Sequence, residues 1–132
     1  MQNVVFSVFV TPEFDTPKEK NNLISFEEYN TELLKCKQEY AKKCDAEWIF
    51  FDKIEYVKLF QEKFSIGTIY DAINLYKIYM FEELGKKFDN VLYLDFDVIP
   101  KTDKNFFEEV NLEKKLWCLD QNDIIHHQNF QL

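Results

Sequence analysis

The sequence predicts an α/β fold built on a mainly parallel sheet. Short apolar segments of strand length, rich in β-branched and aromatic residues, alternate with segments whose apolar residues recur at helical spacing. Strands that alternate with helices are typical of parallel sheets joined by crossover helices. The chain has 132 residues, of which 46% are hydrophobic, so it is long enough to bury a core. We therefore expect one domain over residues 1–132.

Four segments have the composition of strands. The first, NVVFSVFV, is short and rich in β-branched and aromatic residues, and it stops at Thr11 and Pro12. The others share its short length and apolar character. The four predicted strands are residues 3–10, 47–52, 90–100 and 115–120.

Helical spacing marks the intervening segments. One helix is predicted to begin at Ser25, because Glu28 three residues later would complete a capping box. Its core-facing residues would be Phe26, Tyr29, Leu33, Cys36, Tyr40 and Cys44. Residues 54–64 indicate a short helix or an irregular segment. A long helix is expected over about residues 69–84, with Gly85 as its C-cap, and NFFEEV indicates a short helix.

Charge and cysteine content exclude several classes of function. The net charge is −8, so nucleic acid and anionic membranes are poor partners. All 16 basic residues are lysines, so any anion must be bound by lysine or by backbone amides. The apolar N-terminal run is too short for a membrane span and lacks the basic lead of a signal peptide. The three cysteines, Cys36, Cys44 and Cys118, match no metal or disulfide pattern. We expect a soluble, cytoplasmic protein with buried, reduced cysteines.

In the stretch VLYLDFDVIP, an apolar predicted strand is followed at once by two carboxylates, Asp95 and Asp97. If the strand continues, the two side chains point to the same face, with α-carbons roughly 6–7 Å apart. Such a pair is costly unless a cation is shared, and Mg²⁺ or Mn²⁺ prefers carboxylate oxygens. In open α/β sheets, ligands bind outside the carboxyl ends of strands. The stretch thus predicts a metal–diphosphate site. The alternative is an ordinary turn before Pro100, which the apolar Val98 disfavours.

Lys77 is a charged residue on an otherwise apolar helical stripe. The stripe contains Ile69, Tyr70, Ile73, Tyr76, Met80 and Leu84. A lysine there either extends its ammonium to solvent or meets an anion. The available anions are the carboxylate pair and the phosphates that the pair would hold through a metal.

The segment LYKIYMFEELGKKFDNVLYLDFDVIPKTDKNFFE resembles the nucleotide-sugar glycosyltransferases of the glycosyltransferase-A fold. It looks especially like the retaining families related to glycogenin and to the bacterial and viral galactosyl- and mannosyltransferases. The resemblance covers about residues 66–110 well and the first 65 residues loosely. It implies a Rossmann-like, mainly parallel sheet with flanking helices, the nucleotide-binding half of that fold.

The resemblance also implies roles for three of the residues already singled out. Asp97 would ligate the metal directly, and Asp95 would bind the metal or the ribose. Lys77 stands where the family usually has arginine, and would neutralise the diphosphate.

Three further positions match more loosely. Asn74, nearly one turn before Lys77, would approach the nucleotide. Thr11 lies where the family's base-binding loop begins, and Asp52 ends the second predicted strand near the base or ribose. For Thr11, Asn74 and Asp52, the role of an ordinary turn or surface residue is equally compatible with the sequence.

The function implied is metal-dependent transfer of a sugar from a nucleoside-diphosphate donor to a hydroxyl of a glycan, lipid or protein, with retention. Mn²⁺ or Mg²⁺ would offset the charge that grows on the departing diphosphate. These families place a metal-binding histidine and the acceptor pocket after the aspartate pair. Here few residues follow Asp97, and His126 and His127 come too early. The sequence thus predicts a C-terminally truncated, donor-binding part.

Two other readings stay open. A non-catalytic nucleotide-binding or interaction domain could keep the fold without the chemistry. A haloacid dehalogenase-like phosphatase also runs a strand into Asp-x-Asp, with a nucleophile and a general acid. That family expects its pair near the N-terminus and Thr or Val two residues after the second aspartate, where this chain has Ile99.

Overall fold

In the part of the chain that the structure describes, three strands form a parallel sheet with flanking helices. The computed structural model describes residues 2–11 and 30–109. The strands are β1 (Asn3–Val8), β2 (Glu47–Phe51) and β3 (Asn90–Tyr93), in the spatial order β2-β1-β3. Both pairings are parallel, with Val8 opposite Phe51 and Phe6 opposite Tyr93. The predicted α/β class with a parallel sheet is confirmed for this part of the chain.

In the described residues, helices lie between consecutive strands, and a short helix follows β3. They are α1 (Asn30–Lys43), α2 (Ile54–Lys63), α3 (Ile69–Gly85) and α4 (Phe106–Glu109). The segment between β1 and β2 contains α1, and the connection from β2 to β3 contains α2 and α3. The segment at 54–63 is therefore a regular helix.

The central strand β1 is covered on both faces. Residues 4–8 are all nearly inaccessible to solvent, which explains why all of them but Ser7 are apolar and why the strand does not alternate between apolar and polar residues. Val4, Phe6 and Val8 face the helices α2 and α3, where they pack against Val57 and Ala72.

On the opposite side of the sheet, α1 packs mainly against β2. Phe9 stacks on Phe96 with ring centroids 4.7 Å apart, and Phe96 stacks on Phe50 at 5.3 Å. Two buried polar residues, Ser7 and Lys37, lie on this same side of the sheet. This face thus combines aromatic packing with hydrogen-bonding groups.

The strand β3 ends earlier than the sequence predicts. Its ladder closes where the Leu94 amide donates to the Phe6 carbonyl, at 3.0 Å. The chain then turns, and the Val98 amide donates to the Asp95 carbonyl at 3.0 Å. We call residues 95–98 the aspartate turn. The prediction of a strand through residue 100 is wrong, because this turn diverts the backbone after Leu94.

Two details of α3 also differ from the prediction. Gly85 is the last helical residue, and Lys86, in a right-handed conformation, is the C-cap. Tyr70 is 46% exposed, whereas Ala72 is fully buried. The rest of the predicted apolar stripe is confirmed, because its members lie in the core or pack against it: Ile69, Ile73, Tyr76, Met80 and Leu84.

Several predictions lie outside the described residues. They concern the Ser25 cap with Phe26 and Tyr29, the strand at 115–120, Cys118, and the two histidines His126 and His127. Within residues 2–11 and 30–109, Cys44 is buried and Cys36 is partly buried, and both are free thiols, as predicted. No helix in that part of the chain has both the length and the apolar character needed to cross a membrane.

Candidate functional site

A pocket of about 210 Å³ lies at the carboxyl ends of β1 and β3. Three structural elements contribute to it: the end of β1, the first half of α3 and the aspartate turn. Its lining residues are Val8, Phe9, Val10, Ile73, Lys77, Asp95, Phe96 and Asp97. The pocket therefore has apolar walls and a charged rim.

The order of the strands explains the position of this pocket. The chain moves from β1 to β2 on one side and then crosses back over β1 to β3 on the other. The two connecting parts lie on opposite faces of the sheet, since α1 packs with Phe96 and the residues around it while α2 and α3 pack with Phe6. Crevices at such a reversal of strand order, at the carboxyl ends of the strands, are the usual ligand sites of open α/β sheets.

Asp95 and Asp97 both line the pocket. They do so from the aspartate turn and not as alternate residues of one strand, so the geometric argument based on strand alternation does not apply. The Asp95 side chain is 56% exposed and Asp97 is also exposed. Both carboxylates are therefore accessible from solvent.

Asp95 is held by two donors that share one of its oxygens. The Tyr93 hydroxyl donates to Oδ1 at 2.7 Å, and the Lys77 ammonium donates to the same atom at 3.3 Å. Burial alone would raise the pKa of Asp95, but the Tyr93 hydroxyl and the Lys77 ammonium outweigh it, so the pKa is lowered. Burial and the bond to Asp95 raise the pKa of Tyr93, which stays a hydroxyl. The backbone amide of Phe96 also donates to the Asp95 carboxylate and favours its ionised form. An ionised carboxylate has about four lone-pair sites, so Asp95 can still bind a further ligand.

Lys77 contacts an anion, the Asp95 carboxylate. This is one of the two alternatives predicted for it, the other being extension of its ammonium into solvent. Its side chain is 23% exposed, and its ammonium lies 5.8 Å from the centre of the Tyr93 ring. A partly exposed ion pair of this kind contributes little stability, about 0–1 kcal/mol. The arrangement keeps a positive charge at the pocket without withdrawing it from solvent.

The other three predicted positions lie around the pocket and do not line it. Thr11 is exposed and follows the lining residue Val10. Asn74 is exposed on α3, next to the lining residue Ile73. Asp52 is exposed at the end of β2. Their binding roles stay predictions.

Sequence reasoning missed Tyr93 and two buried polar residues, Ser7 and Lys37. Ser7 donates to the Leu94 carbonyl, and Lys37 donates to the Phe96 carbonyl. A signal for Lys37 existed in the sequence, because it lies four residues after Leu33 and three before Tyr40 on the buried side of α1. No comparable signal marks Ser7, which is one small polar residue in an apolar strand.

The donor set suits a hard divalent cation that keeps other ligands. Mg²⁺ is usually bound by one or two carboxylates, with waters and substrate phosphates completing its shell. Asp95 and Asp97 provide such a partial set. Within the described ranges, no three His, Cys, Asp or Glu side chains group closely enough to hold a metal. A cation here would therefore depend on a ligand such as a diphosphate.

Comparison with known proteins gives no match. No protein-family model matches the chain, and no curated protein or solved structure matches it significantly. The assignment of a function therefore depends on the geometry of this pocket and on the motif in the sequence.

Proposed function

We propose that the chain binds a nucleoside-diphosphate sugar through a divalent cation and acts in glycosyl transfer to a hydroxyl acceptor. The fold would then be the nucleotide-binding half of a glycosyltransferase-A fold. The donor, with Mn²⁺ or Mg²⁺, is proposed to occupy the pocket between β1, α3 and the aspartate turn.

One observation supports this proposal above the others. Asp95, Asp97 and Lys77 converge on one solvent-accessible pocket at the carboxyl end of a parallel sheet. Carboxylates and a lysine in one pocket suit a cation and a diphosphate together, because each can neutralise a different part of that ligand. A turn that served only to reverse the chain would not require a lysine from α3.

Each of the three residues has a distinct proposed part. Asp95 and Asp97 hold the cation, which would supply positive charge against the leaving diphosphate. Lys77 is already placed 3.3 Å from Asp95 and turns toward phosphate oxygens at the same rim. The Tyr93 hydroxyl keeps Asp95 ionised and oriented, since it donates to the Asp95 carboxylate.

The test is isothermal titration with UDP and with GDP, in Mn²⁺ and again in EDTA. We expect at least one of the two nucleotides to bind more tightly in Mn²⁺. The Asp97→Asn variant should lose at least about tenfold of that affinity, since even outer-shell partners of a metal change affinity on this scale. Binding in EDTA should be equal in the two proteins.

Asp45→Asn is the matched control. It makes the same change of charge at an exposed residue between α1 and β2, at the amino end of the sheet and away from the pocket. Its backbone φ of 52° is one that asparagine tolerates. If Asp97→Asn binds nucleotide in Mn²⁺ as well as Asp45→Asn does, the metal-site assignment is wrong.

Transfer needs a separate measurement from binding. Incubation with UDP- and GDP-sugars and Mn²⁺ should release nucleoside diphosphate if the chain carries the chemistry. Metal-dependent binding without release would support the non-catalytic domain instead. Release of inorganic phosphate from a phosphomonoester would support the phosphatase reading, in which Asp95 is the nucleophile.

A further inference from the structure

We propose that Lys37 is a positioning residue that, together with Ser7, sets the conformation of the aspartate turn and thereby directs both carboxylates into the pocket. The effect on the turn is independent of any ligand. Its consequence for cation binding rests on the proposed function.

Lys37 is fully buried on α1, and its ammonium is satisfied by backbone and by an aromatic ring. It donates to the Leu33 carbonyl at 3.0 Å, within its own helix, and to the Phe96 carbonyl in the middle of the aspartate turn. The ammonium also lies 4.9 Å from the centre of the Phe96 ring. One buried side chain therefore contacts both the backbone and the side chain of the residue between the two aspartates.

A lysine at this place is costly for the fold. Burial lowers the pKa of Lys37, because the charged form loses its hydration, and the nearby carboxylates of Asp97 and Asp95 offset only part of this. A methionine could fill a similar volume without that penalty. What methionine cannot provide is the hydrogen bond to the Phe96 carbonyl, and we infer that this bond is the reason for the lysine.

Ser7 makes the equivalent bond one residue before Asp95. It is fully buried in β1, and its hydroxyl donates to the Leu94 carbonyl. The Asp95 carbonyl itself accepts the Val98 amide at 3.0 Å. Three consecutive carbonyls are thus hydrogen-bonded, by donors from β1, from the turn itself and from α1.

Because Lys37 is positively charged, a positioning role and a purely electrostatic role predict opposite effects on Mn²⁺ affinity. A positive charge near Asp97 and Asp95 opposes the approach of a cation. If Lys37 acted only through its charge, its removal would strengthen Mn²⁺ binding. If it positions the turn, its removal weakens Mn²⁺ binding, because the two carboxylates lose their common direction.

The experiment compares Lys37→Met with Lys35→Met, which removes the same charge from an exposed residue of the same helix. Amide exchange measured by NMR reports directly on the turn. In Lys37→Met we expect the Val98 amide to exchange about tenfold faster. Loss of the stabilisation given by one hydrogen bond would raise the population of the locally open turn by about this factor. The Phe9 amide, which donates to the Phe51 carbonyl in the sheet, should be unchanged.

The second readout is the affinity for Mn²⁺ with UDP or GDP present. Lys37→Met should bind at least about fivefold more weakly than Lys35→Met, against the direction that charge alone predicts. Equal Val98 exchange in the two variants, or tighter Mn²⁺ binding in Lys37→Met, would overturn the inference.

Ser7→Ala provides the same test if Lys37→Met does not fold. It removes one hydroxyl, and the Val98 amide should again exchange faster while the Phe9 amide does not. If the unaltered protein binds no Mn²⁺, the proposed function fails, but Val98 exchange still decides whether Lys37 and Ser7 position the turn.

Discussion

At the scale of single residues, the hydrogen bonds to Asp95 keep its carboxylate ionised and hold its orientation. Oδ1 accepts both the Tyr93 hydroxyl and the Lys77 ammonium. Because both donors favour the ionised form, they stabilise a charge that partial burial opposes. A carboxylate that is already ionised and oriented loses less free energy to ordering when it binds a cation.

The pKa of Asp95 should therefore depend on Tyr93 and Lys77. In the absence of divalent cations, we expect it to lie below its ordinary value of 3.8 and to rise in both Tyr93→Phe and Lys77→Met. NMR titration of the Asp95 carboxyl carbon measures this directly. Because the folded-state pKa is the lower one, these bonds stabilise the fold above pH 3.8, and the contribution is lost as the pH falls through the folded-state value.

Lys86→Met is a suitable control for that titration. Lys86 pairs with Glu83 beyond the end of α3, so the same loss of charge should leave Asp95 unaffected. An Asp95 pKa that does not differ between Lys77→Met and Lys86→Met would contradict the role assigned to the Lys77 contact.

The residues that the sequence revealed are those whose chemistry conflicts with their neighbours. The sequence alone reveals two aspartates after an apolar strand and a lysine on an apolar helical stripe. Tyr93 and Ser7 are not, because a tyrosine or serine in a strand is ordinary until its partner is known. Their partners, Asp95 and Leu94, follow from the path of the chain after β3.

At the scale of elements, α3 carries Lys77 to the pocket, and its N-terminus is closed by a side chain. Thr68 has an extended backbone, and its hydroxyl accepts the Asp71 amide at 3.1 Å. This cap satisfies one of the amides that the first turn of a helix leaves without a partner. Ile73 and Lys77 follow within the next two turns and line the pocket.

Thr68→Ala should lower the free energy of unfolding by about 1 kcal/mol, the usual cost of losing a cap. Urea denaturation followed by circular dichroism measures the change. Thr68→Ser keeps the hydroxyl and should retain most of the stability. Equal losses in the serine and alanine variants would show that the hydrogen bond to Asp71 does not stabilise α3.

The ends of elements were predicted less well than the elements themselves. The length of β3 was overestimated because Val98 and Ile99 are apolar, and both are exposed after the turn. Apolar composition indicates a strand only when the backbone has a partner to pair with. Here the last bond of β3 to β1 is at Leu94, and this limit is set by the neighbouring strand.

At the scale of the whole molecule, the sheet order places the candidate site. Alternating strand and helix patterns predicted a parallel α/β arrangement, but not which strand is central. That depends on the direction of each crossover, which leaves no mark in local composition. The apolar character of β1, in which Ser7 is the one polar residue between Val4 and Val8, is consistent with a central strand, since it is buried on both faces.

The central claim is that a cation and a diphosphate bind together at the aspartate turn. Mn²⁺ is paramagnetic, so NMR signals of nearby residues broaden where it binds. Titration of Mn²⁺ in the presence of UDP or GDP, with Mg²⁺ as the diamagnetic reference, is the most direct test. We predict broadening at Asp95, Asp97 and the end of β1, with no broadening at Asp45 near the amino end of the sheet. Broadening absent from the aspartate turn, or equal at both ends of the sheet, would contradict the account.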